Sequence, residues 1–315
     1  METRSIGSLE VSLVGLGCNN FGMRCDEARS AAVVHAALDA GVNFFDTADL
    51  YGGTRSEEFL GRALAGRRDQ AVIASKFGAS LGNDGKSGGA SARWIAEAVD
   101  GSLRRLGTDY LDLYQQHVPD DAVPIDETQE ALDGLVRQGK VREIGNSNFS
   151  GARIDEAAAL SDEKGWARFV SAQNQFSLLE RDPLRDVIPV VERNGLSLLP
   201  YFPLASGLLT GKYRRGDPPP EGTRLSTMPA KRAAKLLSER HFDAVEALTG
   251  FAVSRGRSIL ELAFAWLAAQ AVVGSVIAGA TSPEQVAANV AAVEWKLTDE
   301  DLAEIDGLLD GAGRP

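Results

Sequence analysis

What most constrains the fold of this chain is an alternation repeated along its length. Short apolar runs with strand character fall at 13–16, 42–46, 71–76, 110–116, 141–145, 168–173, 196–200 and 274–277, eight in all. Between them, apolar residues recur at helical spacing: Ala31, Val34 and Leu38; Ile95, Val99 and Leu103; Leu184, Val187 and Val191; Leu262, Trp266 and Ala269; Val286, Val290 and Val293. Helix ends are marked too. Ser150 stands before 151–160, and Ser258 with Glu261 reads as a capping box. Gly41, Gly107, Gly139 and Gly195 each precede a strand, where a left-handed residue closes a helix at low steric cost.

Strands separated by helices build a parallel sheet, either closed as a (β/α)8 TIM barrel or open and doubly wound. Two features favour the barrel. The strand spacing is about 30 residues over much of the chain, the span of one βαβ unit. The stretch VGLGCNNFG at 14–22 also lacks the glycine spacing of a Rossmann turn. Residues 4–12, with Gly7 and Ser8 central, read as a hairpin placed to plug one end of the barrel. A single barrel domain over 1–315 with long active-face loops is the expectation. The stretch 201–257 reads as irregular, with the Pro- and Gly-rich segment 211–222 as a surface excursion or a lid. The glycine-rich segment from Gly78 to Gly89 reads as a mobile loop.

Three chemically informative residues stand at predicted strand ends: Asp46, Lys76 and His117, with Tyr51 shortly after Asp46. A barrel gathers such ends on one face. Singly, each has a bland explanation, such as a turn carboxylate or a solvated lysine. Together they suit proton delivery to a carbonyl oxygen, with a phenol as donor, an ammonium tuning it, a carboxylate holding the ammonium and an imidazole orienting the substrate. The ammonium is expected to lower the phenol's pKa. Only three histidines exist, none in an H-x-H pair, so a metal centre is not expected. His35 and His241 fall in helical segments and are given no role.

The formal charge of -11 and pI of about 4.9 do not suit general nucleic-acid or anionic-membrane contact. The N-terminus has no signal-peptide pattern and no apolar run approaches membrane-spanning length. Cys18 and Cys25 could pair, but reduced thiols in a cytoplasmic protein are the expectation. The oligomeric state is left open.

The segments DTADLYG (46–52), SKF (75–77), LDLYQQH (111–117), GNSNF (145–149), QNQ (173–175), YFPLASGLLTGK (201–212) and GATSPEQV (279–286) resemble, in order, those of the aldo-keto reductases. The form of the 201–212 segment is similar to that of bacterial members and of the related potassium-channel β-subunits. The resemblance implies a (β/α)8 barrel, a nicotinamide cofactor, usually NADPH, and reduction of a small carbonyl substrate. It also implies Asp46, Tyr51, Lys76 and His117 as the catalytic tetrad. By the same resemblance, Ser147, Asn148 and Gln173 hold the nicotinamide carboxamide, Tyr201 stacks on the ring, and Gly17, Cys18, Asn19 and Asp46 border the cofactor.

Phe202, Pro203 and the run Leu204, Ala205, Ser206 and Gly207 are implied around the pyrophosphate, with backbone N–H groups as donors and Lys212 and Arg224 as counter-charges. Gly279, Thr281, Gln285 and Asn289 are implied at the adenosine end. Ser282 and Pro283 stand where many NADPH-selective members carry a cation, so NADH is an alternative cofactor. Phe21, Phe77, Phe149 and Phe176, beside Tyr51 and His117, are expected as substrate-pocket walls.

Overall fold

A computed structural model describes residues 1–79 and 88–311, so the predicted mobile loop from Gly78 to Gly89 lies, apart from its ends, outside the described residues. The hairpin forms as β1 (Thr3–Ile6) and β2 (Leu9–Ser12), antiparallel. Eight further strands follow: β3 (Val14–Gly17), β4 (Phe44–Asp46), β5 (Val72–Phe77), β6 (Leu111–Gln116), β7 (Val141–Ser147), β8 (Phe169–Gln175), β9 (Ser197–Tyr201) and β10 (Val276–Gly279). They make one parallel sheet in the order β10-β3-β4-β5-β6-β7-β8-β9. Its outer strands are drawn together by hydrogen bonds from Leu198 N to Val272 O (2.8 Å) and from Gly274 N to Leu198 O (2.9 Å). The result is a nearly closed (β/α)8 barrel.

The helices that jacket the barrel are α1 (Glu27–Asp39), α2 (Arg55–Ala63), α3 (Ala92–Leu106), α4 (Ile125–Arg137), α5 (Gly151–Lys164) and α6 (Ile188–Arg193). Two more, α7 (Ala230–Leu236) and α8 (Glu239–Ser254), precede α9 (Ile259–Ala268), α10 (Pro283–Ala292) and α11 (Asp299–Gly311). Their ends follow the sequence signals. Ser150 caps α5 by accepting from Arg153 N, and Ser258 and Glu261 form the reciprocal capping box of α9. Gly41, Gly107, Gly139 and Gly195 all adopt positive φ (82°, 63°, 72° and 69°).

The stretch 201–257 departs from expectation. It holds α7 and the 16-residue α8, whose Phe242, Val245, Leu248, Phe251 and Ala252 are buried. The proline-rich tract is confined to its first part, and the apolar spacing beyond it is enough to dock a helix.

The hairpin closes the amino-terminal end of the barrel. Ile6, Leu9 and Val11 form one apolar cluster with Phe44, Ala74, Leu113, Leu199 and Ile277 from five strands of the barrel. Gly7 makes the close approach possible: its φ is +57°, and a Cβ there would lie 2.7 Å from Val170 Cγ1. Glu143 fastens the turn by accepting from Ser8 N at 2.8 Å. With that end sealed, the carboxyl ends of the strands face the opposite way, where the strand-end residues collect.

Candidate active site

Strand alternation decides which side chains enter the barrel. Asp46 ends β4, Lys76 is the next-to-last residue of β5, and His117 directly follows β6. Lys76 is fully buried, and its Nζ donates to Asp46 Oδ2 at 2.7 Å and to Thr47 O at 2.8 Å. The Tyr51 hydroxyl lies 3.5 Å from the same nitrogen. The Tyr51 and His117 rings meet edge to face, with centroids 5.7 Å apart. Four residues from three segments of the chain therefore form one cluster.

The electrostatics of this cluster follow from burial against pairing. Burial alone would pull the Lys76 ammonium down, but Asp46 and Tyr51 together hold it above its ordinary value, so it stays charged. Burial pushes the Tyr51 phenol up, and this outweighs the pull of Lys76. The expectation of a lowered phenol pKa is thereby reversed: Asp46 spends much of the lysine's field, and the phenol keeps its proton. Burial, reinforced by Lys76, lowers His117 to about 3, so its imidazole is neutral at physiological pH. Its Nδ1 is buried without a hydrogen-bond partner.

Asp46, Tyr51 and His117 border a cavity of about 1100 Å³, just above the usual ligand-pocket range of roughly 300–1,000 Å³. Gly17, Asn19, Asp46, Ser147, Asn148, Gln173 and Tyr201 line it. So do Phe202, Pro203, Leu204, Ser206, Gly207, Lys212, Arg224, Gly279, Thr281, Gln285 and Asn289. Several of these are wired to the tetrad. Gln173 Nε2 donates to Asp46 Oδ1 at 2.9 Å, and Ser147 Oγ donates to Gln173 O at 2.9 Å. Asn148 Nδ2 donates to His117 O at 2.9 Å, and the Tyr201 hydroxyl donates to Asn148 Oδ1 at 2.7 Å.

Some expected residues sit elsewhere. Cys18 and Ala205 are buried and do not border the cavity. The Cys18 carbonyl accepts from Ser56 Oγ, and both cysteines are free thiols. The four phenylalanines expected as pocket walls are core residues, each at most 1% exposed. Phe77 follows Lys76 on β5, so alternation turns its ring outward onto Tyr114, with centroids 4.9 Å apart. Phe149 packs on Phe169 and Phe176 on Trp266, while Phe21 is sealed in its loop.

The amides of Ala205 and Gly207 are also already taken, donating to Phe202 O (2.9 Å) and Leu204 O (2.7 Å). That loop closes on itself through positive φ at Phe202, Ala205, Ser206 and Gly207. Its lack of bulk at Gly207 still matters: a Cβ there would stand 2.8 Å from Lys212 Nζ.

The end of the polar excursion and the residues that follow it border the cavity. Glu221, Gly222, Thr223, Thr227 and Met228 line it, and Arg24 Nη2 reaches across to donate to Gly222 O at 2.5 Å. Arg24 and Arg29 are cavity residues that no motif identified; their only sequence signal was basic charge in the turn entering α1. Four cations thus line the cavity: Arg24, Arg29, Lys212 and Arg224. Among the described residues none of them has a carboxylate partner, whereas arginines elsewhere on this acidic protein are widely paired, as in Arg62–Glu27 and Arg255–Glu304. The Arg224 guanidinium stacks on Phe202, 4.6 Å from its centroid, and burial with Arg24 and Arg232 nearby lowers its pKa. Four cations lining one cavity without carboxylate partners fit a polyanionic ligand such as a dinucleotide.

One further buried group lies outside the cavity lining, near Glu57 and Arg105. Asp49 is 1% exposed and both its carboxylate oxygens lack partners. Burial, with Glu57 adding to it, raises its pKa to about 7. Among the described residues, no three His, Cys, Asp or Glu side chains are grouped to share a metal, and no helix is long and apolar enough to cross a membrane.

Comparison with known proteins agrees with the geometry. The chain is 36% identical to the uncharacterized oxidoreductase YrpG of Bacillus subtilis, covering 99% of this chain and 97% of that one. It is 36% identical to the aldo-keto reductase YhdN of the same organism, over 98% and 94% of the two chains. A probable voltage-gated potassium channel subunit beta from Oryza sativa subsp. japonica is 33% identical, over 98% and 97%. Residues 13–310 match the family model described as the aldo/keto reductase family. With its barrel, its strand-end cluster and its cation-lined cavity, the chain belongs to the aldo/keto reductase family, and it is an NAD(P)H-dependent oxidoreductase.

Proposed function

We propose that the protein is an NADPH-dependent reductase of small aldehydes or ketones, with Tyr51 as general acid. The observation that carries this reading is the chain of contacts from Asp46 through Lys76 to the Tyr51 hydroxyl, opening into a cavity whose four cations have no carboxylate partner among the described residues. A dihydronicotinamide bound in that cavity supplies hydride to the carbonyl carbon.

The protein's part is to hold and move the proton. Tyr51, protonated because it is buried, gives its proton to the carbonyl oxygen as negative charge builds there. Lys76 stabilises the phenolate left behind at 3.5 Å, and Asp46 fixes the ammonium so that it needs no reorganisation. The neutral His117 offers one N–H to the same oxygen and sets its approach.

Ser147, Asn148 and Gln173 position the carboxamide, and their hydrogen bonds to one another and to Asp46 tie cofactor placement to the tetrad. Tyr201 flanks the ring, and Lys212 and Arg224 neutralise the pyrophosphate. Gln285 and Asn289 take the adenosine end.

Likeness to the channel subunit supports a second reading, a cofactor-binding regulator with slow turnover. The intact tetrad favours the enzyme. Tyr51→Phe tests the assignment. Its kcat should fall about 100- to 10,000-fold, the usual worth of general acid catalysis, with NADPH affinity little changed. A near-normal kcat in that variant would remove Tyr51 from the role.

A further inference from the structure

The first turn of α10 reads Ser282-Pro283-Glu284 and offers an acid rather than a base. The fold supplies a cation there from the other end of the chain. Arg29, in the first turn of α1, lines the same end of the cavity as Thr281 and Gln285. Its Nε donates to Thr281 O at 2.5 Å across 252 residues of sequence. That bond uses one face of the guanidinium. Among the described residues, neither Nη group of Arg29 has a hydrogen-bond or ion-pair partner, so the terminal fork is free. A planar fork, anchored at Nε and open at both Nη atoms, matches a phosphate monoester better than any point charge does.

The other three cavity cations each contact residues within 202–222. Arg24 is tied to Gly222 O, Arg224 lies over the Phe202 ring, and Lys212 sits beside Gly207. Arg29 is therefore the lining cation at the Thr281–Gln285 end.

We propose that Arg29 is the residue that reads the 2′-phosphate of NADPH and sets the preference for NADPH over NADH. This rests on the reading that the cavity holds a nicotinamide dinucleotide with its adenosine toward α10. Glu284 gives the arrangement its discrimination. Its carboxyl is held ionised by the Ser282 hydroxyl and the local backbone, with Arg29 adding to the effect. In the absence of Arg29, that negative charge would oppose a second phosphate and leave the unmodified ribose of NADH undisturbed. Phosphate selectivity here thus belongs to a residue on α1 facing an acid on α10, rather than to α10 alone.

The test is equilibrium titration of NADPH and of NADH into wild type, Arg29→Gln and Arg29→Lys, read by calorimetry or protein fluorescence. Arg29 is exposed, so both variants should fold, which a melting curve verifies. Arg29→Gln should weaken NADPH roughly 10- to 100-fold, the worth of charge-assisted hydrogen bonds to one phosphate. NADH affinity should hardly move, and Arg29→Lys should fall between. Equal losses for both cofactors would place Arg29 at the shared pyrophosphate and overturn the proposal, as would unchanged NADPH affinity. If wild type binds neither cofactor, the reading of the cavity fails as well. Tight NADPH binding with an unaltered preference in Arg29→Gln sinks only the role of Arg29.

Discussion

The two ends of this barrel are made from the same strands and obey opposite rules. At the amino-terminal end, Ile6, Leu9 and Val11 fill the bore with hydrocarbon against Phe44, Leu113 and Leu199. At the carboxyl end the interior holds a lysine, a carboxylate, a phenol and an imidazole within a few ångströms. The backbone differs too. Among the described residues, every non-glycine residue with positive φ, namely Thr54, Asn148, Phe202, Ala205 and Ser206, follows the carboxyl end of a strand. Such conformations and buried charges each cost about 1–3 kcal/mol or more, and the apolar end offsets them. The lesson is a division of labour: one end holds the fold so that the other can keep groups in states they would not choose in water.

Three substitutions probe that division, in descending order of effect. Lys76→Met should strike both properties at once. It leaves the Asp46 carboxylate buried with only glutamine donors, which should cost about 3–5 kcal/mol of stability. It should also cost at least as much in rate as loss of general acid catalysis, about 100-fold. Denaturant midpoints and kcat measured on one preparation check this, and a stable, active variant would break the contrast.

Ile6→Ala should cost about 2–5 kcal/mol by opening a cavity in the plug, with kcat unchanged at temperatures where the protein is folded. A large fall in kcat would show that the plug does more than hold the fold.

Asp49→Asn refines the picture at the open end. The carboxyl's folded pKa of about 7 lies above its ordinary value of 3.8. The folded state therefore holds a proton that the unfolded chain has lost. Its favourable effect is complete below 3.8 and declines as pH rises toward 7, by up to roughly 1.4 kcal/mol per unit. Melting temperatures across that window should show wild type losing stability more steeply than Asp49→Asn. Parallel curves would mean that Asp49 finds a counter-charge in solution.

Much of this was legible in the chain because the signals were local. The strand runs, the capping serines and the closing glycines act within a few residues, and each formed where expected. The tetrad was legible because strand ends in a barrel share a face whatever lies between them. What could not be read depends on which way a side chain turns or on what lies across the fold. Phe77 is adjacent to Lys76, yet pleating sends one to the core and the other to the pocket. Helix α8 was hidden because the proline tract before it coloured the whole stretch as irregular. Arg29 carried no motif at all, since its meaning comes from packing α1 against α10. The direction of the Tyr51 shift was misjudged for a related reason: residue identity reveals the nearby charge, while the depth of burial is a property of the finished fold.

The central claim is that the open end carries out NADPH-dependent carbonyl reduction. Its most direct measurement mixes the purified protein with NADPH and a panel of activated aldehydes, following loss of the reduced nicotinamide and formation of alcohol. The account predicts brisk, substrate-dependent oxidation with one alcohol formed per NADPH consumed. Tight NADPH binding with negligible turnover across the panel would contradict it and favour the regulator, and absence of cofactor binding would remove both readings.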